Sequence, residues 1–192
     1  MKIYTKRGDD GTTGLYFGGR VRKDSHRIET NGAVDEAQAA IGLARAEAEP
    51  GSLLDEILIH LERDLWVLMA EIATDDSNRH KLEPGKSLVT EEMVESLEKR
   101  IDDISDDTEM PAEFVVPGQS RLSAALDYSR TVVRRAERLA ITIAPEGSQV
   151  LPYLNRLSDL CWMLARWQEG EHLLSRGGHT SDNDSDNDKE NP

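Results

Sequence analysis

Between Thr5 and Lys23 the chain places five of its fourteen glycines, Gly8, Gly11, Gly14, Gly18 and Gly19. Among them stand the hydroxyls of Thr5, Thr12 and Thr13 and the cations of Lys6, Arg7, Arg20 and Lys23. Glycine tolerates positive φ and lets a ligand approach the backbone closely. Successive exposed N–H groups in such a loop form a concave anion site. This chemistry suits a polyphosphate, and the neighbouring carboxylates of Asp9 and Asp10 suit Mg²⁺, a hard cation that prefers oxygen ligands. The segment is not a Walker A loop, because no G-x-x-x-x-G-K-[ST] occurs. The alternative is a plain N-terminal turn, since Gly, Thr and Asp are ordinary loop residues.

Two more groups have spacings that bear on chemistry. Arg130, Arg134, Glu137 and Arg138 recur at i, i+4, i+7 and i+8, which puts them on one face of a helix. Guanidiniums bind phosphate through paired hydrogen bonds; the alternative is a solvated face laced with salt bridges. Asn155 and Asp159 are i, i+4 neighbours with Ser158 beside them, a set able to fix an adenosine or orient an arginine, or else ordinary helix polarity. Asp35-Glu36 interrupts an Ala-rich helical face, and a buried acid demands a cationic partner. The five histidines lack H-E-x-x-H or paired spacing, against a structural zinc site. No G-x-S-x-G occurs. Cys161, the single cysteine, lies in an apolar run and reads as a buried inert thiol. One cysteine permits no intramolecular disulfide and fits a reducing, cytoplasmic setting.

The elements that must position these groups are helical. Aromatics make up only 5% of the 192 residues, which favours helices over a β-sandwich. Apolar periodicity predicts helices over residues 29–48, 52–74, 90–104, 121–143 and 149–175, with Ser52, Thr90 and Ser120 as N-caps. Residues 75–89 and 105–113 read as loops. No run of about 18 apolar residues suggests a membrane span, and no signal peptide pattern begins the chain. Residues 1–177 form one helical-bundle domain on this reading, residues 1–28 being its Gly-rich segment. Residues 178–192 form an acidic, low-complexity tail expected to be disordered. The formal charge of −14, from 37 acidic and 23 basic residues, disfavours a broad nucleic-acid surface. It also matches the acidic, halophile-like surface of proteins kept soluble in high salt.

Three segments together resemble the ATP:corrinoid adenosyltransferases of the propanediol-utilisation type. They are Tyr4-Thr-Lys-Arg-Gly-Asp-Asp-Gly-Thr-Thr-Gly14 with Lys23-Asp24; Gly32-Ala-Val-Asp35-Glu36; and Arg130-x3-Arg134-Arg-Ala-Glu-Arg138 followed by Tyr153-Leu-Asn-Arg-Leu-Ser-Asp159. The resemblance implies an all-α five-helix bundle that assembles as a homotrimer, with ATP and corrinoid between subunits. It implies transfer of the 5′-deoxyadenosyl group of ATP to the Co(I) of cob(I)alamin or cob(I)yrinic acid a,c-diamide, releasing triphosphate, in adenosylcobalamin synthesis or salvage.

By motif matching, Thr5, Lys6, Arg7, Gly8, Thr13, Gly14 and Lys23 would bind ATP. Arg134, Arg135, Ala136, Glu137, Arg138 and Asn155 would complete that site. Asp35 would pair with Arg130 across the interface, and Phe114 would cover the lower face of the corrin; with Arg134 these form the implied catalytic set. Mg²⁺ would accompany ATP, and a reductase and an adenosylcobalamin-dependent mutase are the implied partners. Co(I) is itself a strong nucleophile, which fits a chain with no nucleophile motif of its own. The chain departs from the family pattern at Gln119, where a glycine is frequent, and at Cys161-Trp162-Met163, where Leu and Phe are more usual. A rival reading is a non-enzymatic helical regulator that senses nucleotide.

Overall fold

The computed structural model describes residues 3–176. The acidic tail expected over 178–192 lies outside the described residues. Two short strands, β1 (Thr12–Gly14) and β2 (Arg20–Arg22), precede five α-helices. These are α1 (His26–Ala46), α2 (Leu53–Ile72), α3 (Glu91–Asp107), α4 (Arg121–Ala140) and α5 (Val150–Glu169), with a 3₁₀-helix at Asp76–Lys81.

The apolar stripes predicted from sequence become the core. Ala33, Val34, Ala37, Ala40, Ile41 and Ala44 of α1 are all buried, as are Leu54, Ile57, Leu58, Leu61, Leu65, Leu68, Met69 and Ile72 of α2. α1 packs between α2 and α4, α4 packs on α5, and α5 carries α3 on its far side. The alanines of α1 face Ala136 and Ala140 of α4 in one hydrophobic cluster, and small side chains let helix backbones approach closely. Truncating a fully buried residue such as Leu58 or Leu157 to Ala should cost about 2–5 kcal/mol.

Capping chemistry sets the ends. Ser52 accepts from the Asp55 N–H, and Ser120 forms a reciprocal capping box with Ser123. Thr90 stands at the N-cap position of α3 but makes no side-chain cap hydrogen bond. Several boundaries differ from the sequence expectation. α1 begins at His26 and ends at Ala46 rather than covering 29–48, α2 stops at Ile72, and α3 runs on to Asp107. α4 stops at Ala140. α5 stops at Glu169, not 175, because Gly170 turns left-handed with φ 69°. The expected loop 75–89 contains the 3₁₀-helix, whose N-cap Asp75 accepts from Ser77 N–H.

Buried polar groups fasten the ends of the bundle. Glu71 is almost fully buried at the end of α2. Its carboxylate accepts from Arg79 (2.6 Å), from the Ser148 hydroxyl (2.7 Å) and from the Val89 N–H (2.7 Å). One side chain thus pins the 3₁₀-helix, the chain entering α3 and the α4–α5 turn. Tyr153 of α5 donates to Asp64 of α2 at 2.8 Å. Burial pushes the Asp64 carboxyl upward and the Tyr153 phenol well above its ordinary value. Burial likewise pushes the Cys161 thiol up to about 12, so this thiol is an inert filler. Among the described residues no helix is long and apolar enough to cross a membrane.

Candidate active site

The Gly-rich segment is folded as an antiparallel hairpin rather than an open loop. Thr12 pairs with Arg22, Thr13 with Val21, and Gly14 with Arg20. Its tip docks on the end of α2 through Tyr16 N–H to Ala73 O at 2.9 Å. Arg20 ties the layers together, donating to the Thr12 hydroxyl (2.6 Å) and to the Arg7 carbonyl (2.5 Å). Asp10 accepts from the Thr12 N–H and hydroxyl, which holds its carboxyl below the ordinary value. Lys23 leaves β2 and folds back onto Gly8: a Cβ at Gly8 would meet its Nζ at 3.0 Å and the Thr12 carbonyl at 3.2 Å. A larger residue at position 8 would have to push the Lys23 ammonium aside by a few tenths of an ångström. Lys6 has φ 59°, a conformation non-glycine residues rarely adopt. Thr5, Lys6 and Arg7 are exposed, Gly8 and Thr13 half-buried, and Gly14 and Lys23 exposed.

The second group gathers on the seam between α4 and α5. Asn155 donates to Glu137 (3.1 Å) and accepts from Arg156 (2.6 Å), so both ends of its amide are engaged. Glu137 faces Arg134 at 4.0 Å. Arg138 donates to the Arg134 carbonyl at 3.0 Å. Asp159 lies beside them; burial raises its carboxyl, against the pull of Arg156 and Arg134. Arg134 and Arg138 are exposed, whereas Ala136 is buried core. Arg135 points elsewhere, to Glu36 of α1. The expectation of buried acid at Asp35-Glu36 does not hold within the chain. Both residues are exposed. Asp35 lines a groove of about 370 Å³ with Gln38, Arg63 and Trp66.

Asp35 and Arg130 do not meet within one chain. Arg130 faces Asp127 of its own helix at 3.8 Å, and its buried Nε makes no hydrogen bond. Phe114 is 85% exposed, so it is not a plug under α4. It stands in a segment zipped to the chain after α5, with Ser175 N–H donating to Phe114 O at 2.7 Å and Val116 N–H to Leu173 O at 2.8 Å. The ring lines a groove of about 340 Å³ with Trp162 and Arg176. Trp162 also lines a larger groove, about 550 Å³, that runs between α3 and α5 past Asp159 and Arg156. One chain therefore carries a cation-rich hairpin, an arginine–carboxamide seam, and an exposed aromatic beside a groove.

The profile of the cobalamin adenosyltransferase family matches residues 3–168. This chain belongs to that family. It is 40% identical over 184 residues to a corrinoid adenosyltransferase of Mycobacterium bovis, covering 92% of this chain and 94% of the relative. A PduO-type ATP:corrinoid adenosyltransferase from Lactobacillus reuteri, solved as a phenylalanine-to-histidine variant complexed with cobalamin and ATP, superposes with a TM-score of 0.82. That match has 29% identity and covers 92% of this chain and 97% of the other. An arginine-to-lysine variant from the same organism, complexed with ATP, gives 0.79 at 28% identity over 91% of this chain and all of that one.

Several interior and groove-lining residues of this chain carried no functional expectation from the sequence. Asp127, Arg166 and Glu169 are buried charges joined by hydrogen bonds and ion pairs. Their only sequence signal is charge at positions that periodicity assigns to the helix interior, since Arg166 follows directly on Leu164 and Ala165. Trp162, which joins the two grooves, is visible in sequence only as the departure noted in Cys161-Trp162-Met163.

Proposed function

We propose that this chain transfers the 5′-deoxyadenosyl group of ATP to the Co(I) of a corrinoid, cob(I)alamin or cob(I)yrinic acid a,c-diamide. A Co–C5′ bond forms, the C5′–O bond breaks, and its electron pair leaves on triphosphate. The product serves adenosylcobalamin synthesis or salvage. The observation that carries this reading is the presence of two separate anion-seeking groups, the hairpin and the Arg134 seam, in a chain whose family match spans both.

The motif match supplies the roles, and the exposure of most of these side chains supports them. Exposed N–H groups of the hairpin, with Lys6, Arg7, Gly8, Lys23 and the Thr5 and Thr13 hydroxyls, hold the polyphosphate. Gly14 keeps the backbone accessible at the strand end. Arg134 stabilises charge building on the leaving triphosphate, an electrostatic contribution that costs no reorganisation when donors are fixed beforehand. Glu137 and Asn155 hold Arg134 and the adenosine side of the site, with Arg135, Ala136 and Arg138 framing it. Mg²⁺ usually binds through substrate phosphates and one or two carboxylates rather than an all-protein cage. Asp9 and Asp10 are the carboxylates at hand, and the ion would neutralise phosphate charge.

Within one protomer the hairpin and the seam are held by separate contacts. A homotrimer completes the site, with ATP and corrinoid between subunits and Asp35 of one copy meeting Arg130 of the next. Exposed Trp66 (63%), which lines one groove with Asp35, supports an interface there. Phe114 covers the lower face of the corrin, excludes the axial ligand and makes Co(II) easier to reduce. A reductase supplies the electron, and an adenosylcobalamin-dependent mutase receives the product. The single buried thiol is consistent with the cytoplasm.

The test is to mix ATP with chemically reduced cob(I)alamin and the purified protein without oxygen, following Co–C bond absorbance and triphosphate release together. Both signals should appear in equal amounts. ATP binding without either signal would leave a nucleotide-sensing regulator as the better reading.

A further inference from the structure

The segment that carries Phe114 has little support of its own: it is exposed, and its partner 173–175 follows the end of α5 without being helical. That partner is anchored by a line of charges running inward. Arg166 donates to Asp127 at 2.6 Å and to Glu169 at 3.1 Å, and its Nε lies 3.0 Å from the second Glu169 oxygen. Glu169 in turn meets His172 Nδ1 at 3.3 Å. The Arg166 and Glu169 side chains are 1% and 0% exposed, so this is interior structure and not surface decoration. At the other end, Asp127 turns its second oxygen toward Arg130. The Arg166 guanidinium also lies 5.7 Å over the Trp162 ring, and Trp162 lines the same groove as Phe114.

Buried opposite charges with several hydrogen bonds have few alternative arrangements, because every displacement strands a charge away from water. The turn at Gly170 would otherwise leave residues 171–175 free to swing, and with them the bridged segment that bears Phe114. We infer that Glu169, with His172, is a positioning residue for the corrin's lower face: the Asp127–Arg166–Glu169–His172 line fixes the bridged segment 173–175 and so sets where Phe114 stands, while linking it to Arg130. This inference rests on the reading of Phe114 as the cover of the lower face. Glu169 touches no substrate; it acts through the bridged segment.

The experiment compares Glu169→Gln, Phe114→Ala and the double variant in the purified full chain saturated with ATP. Turnover is measured from cob(II)alamin plus reductant and from pre-formed cob(I)alamin, and electron paramagnetic resonance reads whether Co(II) keeps an axial ligand. Glu169→Gln should lower the Co(II)-initiated rate by about tenfold or more, as sub-ångström misplacement does. It should restore the axially ligated Co(II) signal, and leave the Co(I)-initiated rate and ATP affinity within about twofold. The double variant should lose no more than Phe114→Ala alone, since both changes act through one ring. Multiplying losses, or equal losses from Co(II) and Co(I), would overturn the inference. A Phe114→Ala variant with normal Co(II) turnover would instead overturn the lower-face reading beneath it. Should Glu169→Gln fail to fold, His172→Gln, at a half-buried position, carries the same test with the same directions and a smaller loss.

Discussion

Arg166 and Arg134 project from the two helices that form one seam, yet their surroundings are opposite. The Arg166 side chain is 1% exposed and meets two carboxylates within 3.1 Å. Arg134 is 48% exposed and faces Glu137 at 4.0 Å. A guanidinium buried with full counter-charge belongs to the frame, because removing it strands its partners. One left in water without a tight counter-ion is available to an anionic substrate. The difference separates an arginine committed to holding two helices together from one left available to a ligand, which sequence spacing alone does not do.

The contrast is most exposed to attack through stability. Arg166→Met should destabilise the fold by about 3–5 kcal/mol, since Asp127 and Glu169 are left buried and unpaired. Arg134→Met should stay within about 0.5 kcal/mol of the parent. Urea unfolding of both variants checks this, and comparable losses would erase the distinction. The reverse order is expected in catalysis. Arg134→Ala should lower kcat by roughly 10²–10³-fold with an unchanged melting temperature, as the removal of one preorganised charge-stabilising donor does. Steady-state kinetics on ATP and reduced cobalamin would reveal it.

Arg130 stands between these types: half-buried, next to Asp127, with its Nε unengaged. If Asp35 of a second copy takes that position, Asp35→Asn and Arg130→Ala should be non-additive, with a coupling of about 0.5–3 kcal/mol in trimer dissociation. Sedimentation across a concentration series measures it; additive losses would mean that the residues do not meet. A subtler effect concerns Asp159, whose carboxyl is raised by burial. Its ionised form, the one that attracts Arg134, is present above the raised value and lost as pH falls through it. Turnover should therefore decline on the acid side sooner than an ordinary carboxylate would dictate, and Asp159→Asn should remove that limb. The smallest expected effect is from ending the chain at Arg176, which should leave turnover and assembly unchanged in activity assays and sedimentation.

The helices were legible because their apolar spacing is strong and the cap chemistry at Ser52 and Ser120 is local. The end of α5 was not, since Leu173 and Leu174 extend the apolar pattern while Gly170 breaks the backbone and leaves them half out in water. The hairpin was missed for a related reason. Its strands are only three residues long and are surrounded by glycines and charges that disfavour strands, so Thr12, Thr13 and Val21 give too short a signal, and the pairing of Thr12 with Arg22 is held by backbone bonds and by Arg20, contacts that no periodicity announces. Asp35 lies among alanines that are buried, yet within the chain it is exposed. The helix turns it outward while Ala33, Val34 and Ala37 go in.

The sequence by itself determined the helical class, the apolar faces and, through its motifs, the family to which the chain belongs. Those properties depend on neighbours a few residues apart, so they survive in a one-dimensional reading. Only the tertiary structure decided that Phe114 is exposed beside Trp162, that Lys23 lies on Gly8, and that Asp127, Arg166, Glu169 and His172 form one line. Each of these joins residues on different elements. Its energy comes from desolvation and close approach, and both exist only once the chain is packed.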